Sequence, residues 1–471
     1  MAHSTVLNRG VPGFAAKFGS ARVDITPPIG IYLRNWGAAK HDKAESVHRP
    51  LYLTALTISS INDSAESSPL VLISGDLGWW RSASLFEAMR DRLLEQLKLP
   101  KESFWFAMTH SHATVPLQPA NPELPGGELL GDYLDLLEKK IIEVVHQALS
   151  NTTEGILDWH YGKCLLAKAR DLPDPQDADQ INCGFNPDAE ADETLLVGRV
   201  TGRDGRHLAT LINYACHPTT LAWENRAISP DFIGAMQETI ETATDGALSL
   251  FLIGAAGEVS PREQYTADLE IPDRHGRQLG YAVLATLADM HPPSSRYEFD
   301  HIEPSGAPLA VWKYKSLAPR TDQQTALQNV PLELKNWPLA EELAAEAEAA
   351  PDRFQQERLY RKREIRLYLG DDDQWDLPVW YWQLGETILI GTMTEAYTLF
   401  QQELRRKFPD RHIACLNLLN GSIGYLAPEK RYRQNIYQVW QSPFGCGSLE
   451  RLVESSKDFV QSMIAADSAV K

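Results

Sequence analysis

The sequence predicts an α/β fold with mixed β-sheets flanked by helices. Short apolar runs of strand length alternate with segments of helical period along most of the chain. Val379 to Leu384 and Thr387 to Ile390 flank Gly385-Glu386, which reads as a hairpin. The 471 residues are 43% apolar, enough to bury a large core, and no repeat, low-complexity tract or linker divides them. One large domain over 1–471 is therefore expected.

Taken in order, Phe18 to Pro28 is a short strand stopped by Pro27-Pro28, which forbid helix and mark a turn. Residues 51–59 and 70–74 are apolar runs, the second ending at Gly75-Asp76. Helical spacing covers 85–97 and 133–149. Residues 103–108, 195–200, 208–212 and 248–253 read as core strands. Residues 332–369 differ, being rich in Glu, Ala, Arg and Lys. Their spacing predicts two exposed helices broken near Pro351, laced by i,i+4 charge pairs and presenting a solvated face. Asp371-Asp372-Asp373 lacks the ligand order of a calcium loop and reads as a solvated turn.

Charge narrows the partners. Lys+Arg 45 against Asp+Glu 63 gives −18, which argues against nucleic acid or an anionic membrane. Five scattered cysteines without a CxxC pair fit free thiols in a reducing compartment rather than a thiolate metal site. Residues 1–17 lack a basic segment followed by an apolar one, and no run of eighteen apolar residues occurs. The expectation is a cytoplasmic enzyme without a transmembrane segment, acting on a small-molecule or lipid substrate.

The chemistry concentrates at strand ends. Thr109-His110-Ser111-His112 follows the run 103–108, and Asn213-Tyr214-Ala215-Cys216-His217-Pro218 follows 208–212. Imidazoles at the ends of buried strands are held rigidly at a cleft, which suits a metal with an open position. Taken alone, His217 reads better as a satisfied core histidine. Glu395 follows Ile388 to Gly391 and precedes a helix beginning near Tyr397, where a carboxylate also favours the helix N-terminus. Phe251 to Pro261 runs a strand into a turn of small residues. Its backbone N–H groups could crowd an anion, and Ser260 could serve as nucleophile, hydrogen-bond donor or cap.

These segments come in a recognisable order. Ser20 to Gly30, Val47 to Tyr52, Thr109 to His112, Asn213 to Pro218, Ser229 to Gly234, Gly254 to Pro261, Gly391 to Glu395 and Asn420 to Tyr425 leading to Tyr437 together resemble the neutral/alkaline ceramidase family. The resemblance spans about residues 18–437. It implies a zinc-dependent amidohydrolase that cleaves the amide of an N-acyl sphingoid base through metal-bound water. The zinc ligands it implies are His110, His217, Glu395 and Tyr437. His112 is implied to lie beside the metal, touching substrate or oxyanion, and Arg170 to match a family arginine. The physics agrees, because two neutral imidazoles and one carboxylate leave zinc net positive and able to acidify water.

Departures from the family pattern concern the pocket. Ala113-Thr114-Val115-Pro116 stands where the family has a glycine-rich continuation, and Thr394 precedes Glu395 in place of glycine. About 34 residues follow Tyr437, too few for the C-terminal β-sandwich of well-known ceramidases. The resemblance therefore leaves two alternatives to a ceramide amidase. One is a zinc hydrolase of a smaller amide, ester or lactone, and the other a non-catalytic binding protein on the same scaffold.

Overall fold

Eight strands form the larger sheet, in the order Leu248–Ile253, His207–Tyr214, Thr194–Gly202, Thr153–Lys163, Phe14–Asp24, Tyr52–Ser59, Leu70–Gly75 and Phe104–Met108. This computed structural model describes residues 5–61, 68–177 and 179–470, so the first four residues of the polar N-terminal segment lie outside it. The pairs at the two edges are parallel and the inner ones antiparallel. A second sheet joins Gln323–Glu333, Gln374–Leu384, Thr387–Thr392 and His412–Leu416. It contains the expected hairpin and ends in a parallel pair. The expected mixed sheets flanked by helices are what the chain forms.

Alternation along each strand sorts the layers. Phe104 and Phe106 face outward with Val71 and Ile73, against helices Ala83–Leu97 and Leu130–Ser150. Trp105 and Ala107 face inward with Leu70 and Leu72, against Trp380, Trp382 and Leu389 of the second sheet. Trp105 stacks on Trp382 with centroids 4.3 Å apart. Helices Phe232–Ala243 and Glu270–Asp289 cover Ile212, Phe251 and Ile253. Helices Leu399–Lys407 and Ser448–Val470 lie over the outer face of the second sheet, where Phe400, Leu404, Leu449 and Leu452 are buried. No described helix is long and apolar enough to cross a membrane, and all five cysteines are unpaired.

The two edges of the larger sheet meet. Ser74 Oγ donates to Phe251 O at 2.7 Å. The segment after His412–Leu416 joins them further, with Asn417 N donating to Ile253 O (3.1 Å) and Asn420 N to Phe106 O (2.9 Å). The Asn420 amide pairs with Phe106 N (2.8 Å) and Phe104 O (2.9 Å). Residues far apart in strand order thus become neighbours in space.

The charged region resolves into helices Ala340–Glu348 and Arg353–Leu369, broken around Pro351 as expected. Two points correct the sequence reading. Leu332 and Glu333 end a strand that pairs along its length with Gln374–Leu384, so helix starts only at Ala340. The second helix turns one face toward an internal cavity, described below, and only the other toward water.

Asn420 should be a stability hot spot. Asn420→Ala strands the Phe106 N–H and the Phe104 carbonyl and places alanine at φ +52°. The expected loss is about 2–4 kcal/mol by urea denaturation. Asp76 gives a pH dependence. It is 1% exposed; Oδ2 accepts from Tyr52 N at 3.0 Å and Oδ1 has no partner. Burial pushes its carboxyl up to about 7. An acid whose folded pKa is raised binds more protons folded than unfolded. Its contribution should therefore fall away as pH rises from about 4 to above 7, by about 1–3 kcal/mol. Denaturation at pH 5 and pH 8 checks this, with Asp76→Asn flattening the slope.

Candidate metal centre

His110, His217 and Glu395 come from three separate strand ends and meet. Phe104–Met108 leads to His110, His207–Tyr214 to His217, and Thr387–Thr392 to Glu395. Their ligand atoms lie within 4.8 Å of one another, and all three residues are buried. Glu395 Oε2 is 2.9 Å from His217 Nε2 and 3.2 Å from His110 Nε2.

The backbone fixes the imidazole tautomers. His110 Nδ1 lies 3.0 Å from Gly78 O, and His217 Nδ1 lies 2.6 Å from Ala256 O. A carbonyl oxygen only accepts, so both Nδ1 atoms carry a proton and both Nε2 atoms are the ring atoms turned inward. Burial, with Arg170 alongside, pushes His217 down to about 3, so the ring is neutral. Burial opposes ionisation of Glu395, but the adjoining His110 and His217 hold its carboxyl well below the usual range. Two Nε2 atoms and a carboxylate thus converge on one point. That donor set is repulsive by itself and fits a divalent cation. This group can hold a metal ion. His110 pays for its aim with φ +72°, strained for a non-glycine residue and set by its N–H bond to Leu77 O (2.8 Å).

Two other expected residues, His112 and Arg170, stand around this group. His112 Nε2 is 3.4 Å from His110 Nε2. Its ring sits between Trp36 (5.1 Å) and Trp79 (4.8 Å). Burial, then His110 and His217, holds His112 well below its ordinary value. Arg170 is 3% exposed and donates to Gly257 O at 2.8 Å; its Nη2 lies 3.2 Å from His217 Nε2.

The phenol beside the group is Tyr425 rather than Tyr437. Tyr425 OH lies 3.4 Å from His217 Nε2 and 3.3 Å from Arg170 Nη2. The reason is a two-residue parallel pairing that puts Tyr425 opposite Glu395. Tyr437 stands one ring further out, its centroid 5.7 Å from that of Tyr425, with its hydroxyl accepting from Arg361 Nη1 at 3.3 Å. The ligand expectation for Tyr437 therefore moves to Tyr425.

Ser260 is not brought to the centre. It is 1% exposed in a short ladder pairing Val259–Pro261 with Ala167–Ala169, and it does not line the cavity. Three N–H groups of the small-residue turn before it are already engaged. Gly254 N, Ala255 N and Gly257 N donate to Tyr214 O, Gln401 Oε1 and Ala396 O. The turn serves close approach instead: a Cβ on Gly257 would stand 2.6 Å from the Tyr397 ring and 3.1 Å from Glu395 O.

The centre opens into a cavity of about 900 Å³. Trp36, Trp223 and Tyr265 form a three-ring cluster on one wall. Helix Arg353–Leu369 supplies another through Phe354, Arg358, Arg361 and Ile365. Sequence reasoning missed Trp79 and the roles of Tyr425 and this helix at the cavity, because none carries a local signal distinguishing it from core or surface.

No family model and no curated protein matches the sequence. Solved structures do. A neutral ceramidase from Pseudomonas aeruginosa superposes with a TM-score of 0.64 at 14% identity, covering 94% of this chain and 73% of that one. A ceramidase complexed with C2 superposes with a TM-score of 0.66, also at 14% identity, covering 94% and 74%. The chain has a neutral ceramidase-like fold.

Proposed function

We propose that this protein is a zinc-dependent hydrolase cleaving the amide bond of an N-acyl substrate. The reading rests on one observation above all. Two imidazoles, turned inward through Nε2, and a carboxylate converge at one end of a cavity. The likeness to ceramidase structures adds support for amide chemistry. His110, His217 and Glu395 would hold the zinc, with the Tyr425 phenol beside them. Bound there, zinc supplies a Lewis acid and an acidified water.

The protein's own groups complete the chemistry. The Arg170 guanidinium, aimed at the centre through Nη2, stabilises negative charge developing on the amide oxygen. His112 is neutral and adjacent, so it can take a proton from water and return it to the leaving nitrogen. Trp36 and Trp79 hold its ring and exclude water from its faces. A smaller, soluble amide is the second reading. The arginines of the cavity favour it over a neutral, two-chain lipid.

Metal content and turnover of a fluorescent short-chain ceramide, measured together, test the proposal. About one zinc per chain is expected, lost with activity in His110→Ala, His217→Ala and Glu395→Gln while circular dichroism is unchanged. Zinc without ceramide turnover would point to soluble amides. No metal, even after zinc is added back, would sink the proposal. A finer comparison separates the tyrosines. Tyr425→Phe should weaken zinc retention against a chelator roughly tenfold or more, whereas Tyr437→Phe should leave retention unchanged.

A further inference from the structure

Four guanidinium groups line the cavity, those of Arg81, Arg170, Arg358 and Arg361, and among the described residues none has a carboxylate ion pair. The carboxylates on the same walls are already engaged. Glu357 pairs with Arg34 at 2.7 Å and Arg353 at 3.0 Å, Glu364 with Arg363 at 2.8 Å, and Glu395 belongs to the metal group. Arg81 is held by neutral acceptors, Gln118 Oε1 (2.9 Å), Arg34 O (2.6 Å) and Asn35 Oδ1 (3.1 Å), while its buried Nε has no partner. Unpaired cations in a cavity of a chain whose net charge is −18 are costly unless something neutralises them.

Their position relates them to the reacting centre. The guanidinium carbons of Arg81 and Arg361 lie 6.0 and 5.9 Å from the Trp79 ring centroid. The same indole is 5.6 Å from the His110 ring and 4.8 Å from the His112 ring. One ring therefore separates the two guanidinium groups from His110 of the metal group and from His112 beside it. Arg358, stacked on Trp440, stands on the same helix as Arg361.

We propose that Arg81 and Arg361 form a cradle for an oxyanion of the substrate, a carboxylate or phosphate placed a few bonds from the scissile amide. An N-acyl amino acid has this layout, its acyl chain lying along the aromatic wall. This specifies the substrate of the hydrolase reading and rests on it. The reaction balances as hydrolysis: the amide C–N bond breaks, the water oxygen joins the carbonyl carbon, and the water protons pass to the amine and solvent. Guanidinium forks suit such an anion through paired, charge-assisted hydrogen bonds.

Calorimetric binding with the full chain tests the cradle, using N-octanoylglycine, its neutral carboxamide, and N-octanoyl-phosphoethanolamine. The carboxylate or the phosphate should bind the wild type at least about tenfold more tightly than the carboxamide. R361Q should erase most of that difference, leaving carboxamide binding unchanged. The better of the two anions identifies the oxyanion. Equal binding of the carboxamide and both anions by the wild type would overturn the cradle, as would a preference that survives in both R361Q and R81Q. Turnover of the same compounds by zinc-loaded protein is scored separately. Anion-selective binding without turnover keeps the cradle and removes the hydrolase reading, whereas turnover indifferent to the anion does the reverse.

Discussion

The closure of the larger sheet on itself is the constraint on which the site depends. His110 follows one edge strand and His217 follows the strand next to the opposite edge. In a flat sheet of eight strands, spaced about 4.8 Å apart, they would be far separated. Here their ring centroids are 4.8 Å apart. Twist alone does not hold such an approach, because an edge strand exposes backbone groups that need partners. The segment 417–420 supplies them, with Asn417 bonding Ile253 and Asn420 bonding Phe104 and Phe106. Both residues lie just past the last strand of the second sheet. The face-to-face packing of Trp105 on Trp382 and the convergence of the histidines are therefore parts of one arrangement.

The third ligand follows from the same segment. After Asn420 the chain turns and lays Tyr425–Leu426 parallel to Glu395–Ala396. Asn417 binds both backbone groups of Ala396. The Glu395 side chain is thus aimed by backbone pairing on one side and by a close glycine on the other, where Gly257 N donates to Ala396 O at 3.0 Å. Its rigidity matters, since three acceptor groups this close repel one another and would otherwise splay apart. Gly78 and Ala256 carbonyls hold the two imidazoles in the one tautomer in which that repulsion is greatest and a cation is best served.

Much of this was legible in the sequence because it is local. The hairpin through Gly385-Glu386, the helices near 83–97 and 130–150, and the strand ends bearing His110, His217 and Glu395 all carry their own patterns. What was not legible is non-local. Thr153–Lys163, at the centre of the larger sheet, carries Gly155, Asp158, His160 and Gly162 and lacks a continuous apolar run. Its strand character comes from two long antiparallel neighbours. Tyr425 and Tyr437 look alike as residues in polar loops, and only the pairing with Glu395 separates them. Ser260 looked reactive because small residues precede it, yet those residues serve backbone contacts of their own.

The charged helix Arg353–Leu369 shows why composition misled about its role. A helix polar on all sides reads as solvated, since no apolar stripe asks to be buried. This helix docks through Ile365, Tyr368 and Leu369 near its end, and along the rest through charged residues. Arg358 stacks on Trp440, Lys362 on Trp337, and Arg361 faces Trp79, while Glu357 pairs with the buried Arg34. Guanidinium and ammonium groups over indole faces bury their carbon stems and keep their charge, an attraction worth about 0.5–2 kcal/mol each. The partners are aromatic rings scattered between residues 79 and 440, so no window of sequence contains the interaction. The same stacking leaves the edges of the guanidinium groups free to meet a third group. A helix fixed in this way closes the cavity wall and points cationic donors into it at once, which an apolar stripe at the same place would not do.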